Sequence, residues 1–225
     1  MMKNDKASLT FGIMLAPVFP WKQIVQQARL VESLGFDKLW VPDHFVNPED
    51  VEMDWFEILD HMLSEEVTTY PGKYFDIQNA LMRPKFISQP RPKLNVAARG
   101  PKALRLAAKY GDAWNGFYPG QDLTPKQSSD VIHQHCEMVS EFALEAGRDP
   151  AQIGRSFCFG WTSDILFRSL DAFYETIGRY TEAGIQDFCF IYALGLESWK
   201  DQTIITEDLL QQIALEAIPR IRSEV

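Results

Sequence analysis

One pattern constrains the fold more than any other: a short apolar run, then a stretch of helical period, repeated along the chain. Leu9 to Leu15 is nearly continuous in apolar residues, as in a strand covered on both faces, and Pro17 and Pro20 end it. From Trp21 to Leu34, Ile24, Ala28, Val31 and Leu34 recur near helical spacing, and Gly35 stands where a helix C-cap belongs. Lys38 to Pro42 reads as a second strand and completes a β-α-β unit. The alternation returns with strands at Lys93 to Ala98, Asp112 to Gly116, Ser156 to Trp161 and Asp187 to Tyr192. Helices follow them at Pro101 to Tyr110, Pro125 to Ala146, Ser169 to Ala183 and Thr206 to Arg222. Six strands with right-handed crossovers predict an α/β protein with a parallel sheet, either open or closed as a barrel.

One stretch breaks this rhythm. Asp54 to Ser64 can form a helix, yet from Glu65 to Pro92 the pattern is a hairpin (EVTTY, PG, KYFDI) followed by a segment punctuated by Pro84, Pro90 and Pro92. A connection this long marks a functional excursion or a wrong assignment of elements. Residues 1–225 are long enough for one large domain or two small ones, with a hairpin and loop excursion at 65–92.

Composition narrows the function. The chain has 225 residues with 46% hydrophobic and 24% charged, the balance of a globular protein. Its 22 basic against 31 acidic residues give a net charge of −9, so most of the surface would repel a phosphate backbone and nucleic acid is excluded as the expected partner. Three cysteines, Cys136, Cys158 and Cys189, show no paired spacing and fit a reducing compartment. No apolar run reaches the roughly 18 residues of a membrane span, and the beginning of the chain has no signal-peptide pattern; a cytoplasmic location without membrane attachment is expected.

Three groups of residues follow strand ends, where parallel α/β folds bind ligands. Asp43 and His44 place an acid and an imidazole beyond the second strand, and they serve either chemistry or a capped turn. Ala97, Ala98, Arg99 and Gly100 precede Pro101 at a helix start. Small residues admit a ligand to the backbone there, and the free N–H groups with Arg99 form an anion seat, or else a tight turn with a solvated arginine. Asp112, Trp114 and Asn115 offer an apolar plate and an amide, or else belong to the core and its edge. His133, His135 and Cys136 do not share a helix face, so no metal site is expected, and Cys158 and Cys189 read as small hydrophobes. GxSxG, Walker, HExxH and CxxC motifs are missing from the sequence.

Together these segments resemble the luciferase-like monooxygenase family, the flavin- or F420-dependent TIM-barrel oxidoreductases. The matching pieces, in order, are FGIML, ARLVESLGFDKLWVPDHF, EVTTYPGKYFDI, RPKFISQPRPKLNVAARGPKALRLAAKYGDAWN, EAGRDP, FYETIGRYTEAGIQDFCFIY and IALEAIPRIR. The resemblance implies FMN or coenzyme F420 as cofactor and a small organic substrate, with hydride transfer or oxygen activation as the chemistry. It implies that Asp43 and His44 lie beside the cofactor ring as catalytic residues, that Ala97, Ala98, Arg99 and Gly100 follow its phosphate arm, and that Asp112, Trp114 and Asn115 border the site. In the family, two further strands stand between the DH pair and the hairpin. Here Trp55 follows within about a dozen residues, so an internal deletion of two βα units is expected, leaving an incomplete TIM-barrel-like fold of about six parallel strands. Six strands leave two edges, which a smaller barrel or a homodimer would cover. A non-catalytic or impaired flavin-binding protein derived by that deletion is the alternative.

Overall fold

The computed structural model describes residues 9–15, 20–40, 54–72, 76–83, 91–160, 162–192 and 206–224. Its strands and helices alternate as the apolar pattern predicts. Strand β1 (Thr10–Leu15) leads to helix α1 (Trp21–Ser33) and then β2 (Lys38–Trp40). Helix α2 (Asp54–Ser64) precedes an antiparallel hairpin of β3 (Thr68–Pro71) and β4 (Asp76–Ala80). There follow β5 (Asn95–Ala97), α3 (Pro101–Tyr110), β6 (Ala113–Gly116), α4 (Pro125–Glu145), β7 (Gly154–Phe159), α5 (Leu170–Glu182) and β8 (Asp187–Tyr192). The chain closes with α6 (Glu207–Gln212), a π-helical turn at Ile213–Ala217 and α7 (Ile218–Glu224).

Six strands form one sheet in the order β2-β1-β8-β7-β6-β5, every pairing parallel. This is the incomplete TIM-barrel-like α/β fold expected from the sequence. Among the described residues its two edges are β2 and β5, the strands that flank the irregular stretch, and they are not paired with each other.

Local chemistry explains the element ends. Gly35, at φ +77°, adopts the left-handed conformation just past α1, and its N–H bonds to the Glu32 carbonyl. Helix α4 opens with a reciprocal capping box between Thr124 and Gln127. The sequence predicts one unbroken helix from Thr206 to Arg222; the observed rod instead widens into a π turn that ends two residues before Pro219, which has no N–H to give and would crowd the carbonyl four residues back.

The core lies between the outer face of the sheet and the helices. Phe11, Phe188 and Phe157 occupy one rung across β1, β8 and β7, and Ile13, Phe190 and Phe159 occupy the next, all buried. The Phe11 and Phe188 rings stack at 5.4 Å, and Phe159 and Phe190 at 5.7 Å, within the range of favourable offset contacts. The opposite, concave face carries the alternate residues. Its chemistry is mixed: Thr10, Asp187, Ser156 and Asn115 in one row, then Gly12, Cys189 and Cys158 in the next. Gly12 is required there, because a Cβ would meet the Trp40 indole nitrogen at 2.9 Å and the Lys38 Cβ at 3.0 Å. Across that gap the Lys38 ammonium reaches Asp187 at 2.5 Å.

Candidate functional site

Parallel strands bring the βα turns to one rim, and among the described residues the turn from β5 to α3 offers exposed backbone there. Ala97, Arg99 and Gly100 are exposed, whereas Ala98 is buried. The reason lies in β6. Asn115 accepts the Ala98 N–H on its carbonyl at 3.2 Å, and the Trp114 indole donates to the Ala98 carbonyl at 2.8 Å. Two bonds thus fix Ala98 from both sides and hold the next two residues outward.

Gly100 is the N-cap of α3, no side chain caps that end, and Pro101 occupies the first turn. Helices α4, α5 and α6, by contrast, are capped by Thr124, Ser169 and Thr206. A Cβ built on Gly100 finds nothing within 4 Å among the described residues, so this helix start, where the positive end of the dipole lies, has space beside it. The Arg99 guanidinium lies over the Tyr118 ring at 4.9 Å.

His135 enters this neighbourhood from α4. Its ring meets Trp114 edge-on at 6.0 Å, and burial together with the nearby Arg99 charge holds its pKa below the ordinary imidazole value. Sequence reading set His135 aside with His133 as an improbable metal pair. No signal in the sequence linked it to Arg99, 36 positions earlier. His133 lies elsewhere, exposed and beside Glu137 at 3.6 Å. Among the described residues no group of three or more His, Cys, Asp and Glu side chains is placed to hold a metal ion.

The remaining sequence candidates divide. Asn115 lies on the concave face and donates to Ser156 at 2.8 Å, one residue before β6 ends. Trp114 is fully buried on the helix side, so its indole supports the turn from beneath rather than presenting a plate to the rim. Asp112 precedes β6 at the amino end of the sheet, about 10 Å along the strand direction from Asn115. There it accepts from Arg91 at 2.5 Å and from the Leu94 N–H at 2.8 Å, while Arg91 also binds Asp60 at 2.6 Å. Burial raises the Asp112 pKa, but Arg91 and the Leu94 N–H outweigh it and the group stays below the ordinary carboxylate value. Asp43 and His44 lie outside the described residues. An open groove of about 600 Å³ between α4 and α5 is lined by Lys126, His133 and Arg179 among others and by none of the sequence candidates for the site. No described helix is long and apolar enough to cross a membrane.

The sheet and its helices define a protein of the (β/α)-barrel class with an incomplete barrel. Residues 50–164, just over half the chain, match the family described as luciferase-like monooxygenase, and the chain belongs to that family. Its curated relatives include the phthiodiolone/phenolphthiodiolone dimycocerosates ketoreductases of Mycobacterium kansasii and Mycobacterium tuberculosis, both 34% identical over 88 residues. That match spans 39% of this chain and only 22% and 21% of those proteins. The fold resembles the coenzyme F420 dependent tetrahydromethanopterin reductase from Methanopyrus kandleri (TM-score 0.70, 14% identity, covering 95% of this chain and 99% of that one). It also resembles an F420-dependent secondary alcohol dehydrogenase in complex with an F420-acetone adduct (TM-score 0.61, 14% identity, 82% and 93% covered). A monooxygenase from Streptomyces bottropensis is similar at TM-score 0.55 and 15% identity, with 93% and 78% covered. At such identities the likeness concerns the fold.

Proposed function

We propose that this chain is an oxidoreductase that uses FMN or coenzyme F420 on a small organic substrate, and that the β5–α3 turn seats the cofactor's phosphate. Membership of the luciferase-like family supports the reaction class. The observation that carries the seat is the uncapped, open start of α3 beside an exposed arginine. These residues fit the group: a phosphate supplies the acceptors that the Lys102 and Ala103 N–H groups lack, and the negative charge that Arg99 and the helix dipole favour.

In this reading Arg99 and the α3 backbone bind the anionic arm, while Ala97 and Gly100 let it approach the main chain. His135, held neutral by its surroundings, is a donor or acceptor at the flank of the seat. Asn115 presents its amide on the concave side. Asp43 and His44 follow β2, whose carboxyl end shares the rim with β5, and their proposed role is to orient the reacting ring and hold a proton there. When bound, the cofactor supplies the hydride or activates oxygen, and the protein's share is binding, orientation and exclusion of water.

Titration with FMN, F420 and riboflavin, followed by fluorescence and absorbance, tests this. Binding of a phosphate-bearing cofactor below millimolar concentration is expected. Replacing Arg99 with Ala should weaken FMN about tenfold more than riboflavin, the loss of one charge-assisted bond. Equal losses would refute the anion seat. A second reading rests on the two edges of the sheet that are unpaired among the described residues: a flavin-binding protein without turnover, derived from the family by loss of two βα units. Binding with no oxidation of reduced cofactor beyond the free-solution rate would favour it. Pairing of two chains over the open flank would add a dimer, which sedimentation detects.

A further inference from the structure

Cysteines on neighbouring strands need not meet. Cys158 on β7 and Cys189 on β8 do, because they are register partners and both face the concave side of the sheet, 3% and 2% exposed. Both thiols are free rather than disulfide-bonded. Met14 on β1, level with Ile191, and Trp40 on β2 pack against the buried cluster that Cys158 and Cys189 form with Ile191. The Trp40 indole N–H is buried and finds no hydrogen-bond partner among the described residues. Gly12 is level with Cys189 and leaves a gap in the row of side chains beside it, roofed by that indole.

Two thiols and a thioether on one face, next to an aromatic ring and away from carboxylate ligands other than the paired Asp187, are the donor set that soft ions prefer over magnesium, calcium or manganese. We infer that the concave face holds a soft-metal site, in which the thiolates of Cys158 and Cys189 bind one copper(I) ion with the Met14 thioether as a further ligand.

Binding exchanges two S–H bonds for two copper–sulfur bonds and releases two protons to solvent, with no change in oxidation state. The resulting site carries one net negative charge. The Lys38 ammonium and the Asp187 carboxylate close by pair with each other and add no net charge. Cys136 takes no part, since it lies in the helix-side core. The inference does not depend on the proposed cofactor, because these thiols lie in the sheet, not in the β5–α3 turn.

The test is anaerobic titration of the reduced full chain with copper(I), buffered by a chromophoric copper(I) chelator. One copper per chain is expected, with thiolate-to-copper absorption in the near ultraviolet and loss of two protons by native mass. After correction for the chelator, the apparent affinity should rise by close to 100-fold from pH 6 to pH 7, because two thiols must ionise. Cys158→Ala and Cys189→Ala should each abolish tight binding, Met14→Leu should weaken it about tenfold (roughly 1.4 kcal/mol), and Cys136→Ala should leave it unchanged. X-ray absorption on the wild-type complex covers the case of a variant that does not fold: a first shell of two or three sulfurs supports the site. A nitrogen or oxygen shell, a tenfold pH dependence, binding that survives both cysteine changes, or conversion of the pair to a disulfide with no retained copper would each overturn it.

Discussion

The claim that Trp114 pegs the β5–α3 turn predicts a specific cost for replacing it by Phe. The indole is fully buried and donates at 2.8 Å to the carbonyl of Ala98, a residue that is itself 3% exposed. Phe cannot donate, so that carbonyl loses its partner in a place water does not reach, which costs about 1–3 kcal/mol. The smaller ring also returns on the order of 40 Å² of apolar contact, or about 1 kcal/mol at ~25 cal/mol per Å². The expected loss is therefore about 3 kcal/mol. Urea unfolding followed by far-ultraviolet circular dichroism measures it independently of tryptophan emission. With a slope of about 3 kcal/mol per molar, the midpoint should fall by roughly 1 M. A shift below roughly 0.2 M at an unchanged slope would mean that the turn is held by something other than the indole.

Three further outcomes follow from the charges. Arg91→Met removes the ion pairs to Asp60 and Asp112 and should cost about 2 kcal/mol at pH 7, between the values for exposed and buried pairs. The Asp112 share, with its folded pKa depressed, is present in full above the unfolded value near ~3.9 and lost as pH falls through the lower folded value; chemical unfolding of the two proteins should therefore converge in acid, and a gap constant from pH 7 to pH 2 would contradict it. Asp164 has a side chain with 0% exposure and binds Arg179 at 2.5 Å and the Tyr180 hydroxyl at 2.9 Å, so Asp164→Asn should destabilise by about 3–5 kcal/mol in the same assay. Arg99→Ala should raise the His135 pKa toward ~6.5, observable by NMR titration of the ring protons, and no change would separate the two residues.

Much of the architecture was legible because the signals are local. The apolar run of β1, the amphipathic α1 and the stop at Gly35 each follow from a few adjacent residues, and the interruption in the rhythm between β2 and β5 falls where the described sheet has its two edges. The rim was legible in part. Arg99 and Gly100 stand where the βα rule puts them, while Trp114, read as a plate, is a peg in the core, and Asp112, only three positions from Asn115, is tied to Arg91 at the other end of the strand. His135 had no sequence signal at all, since its relation to Arg99 depends on how α4 crosses β6.

The order of amino acids alone set the period of each segment, the ends of the helices and the acidic, cysteine-poor character of the chain, because propensity, capping and hydrophobic spacing act over one or two turns. Register and the sidedness of the sheet were decided only by the folded chain. A shift of one residue between β7 and β8 would carry one cysteine to the other face, and the pair that meets across those strands exists because long-range packing of the phenylalanine rungs fixes that register.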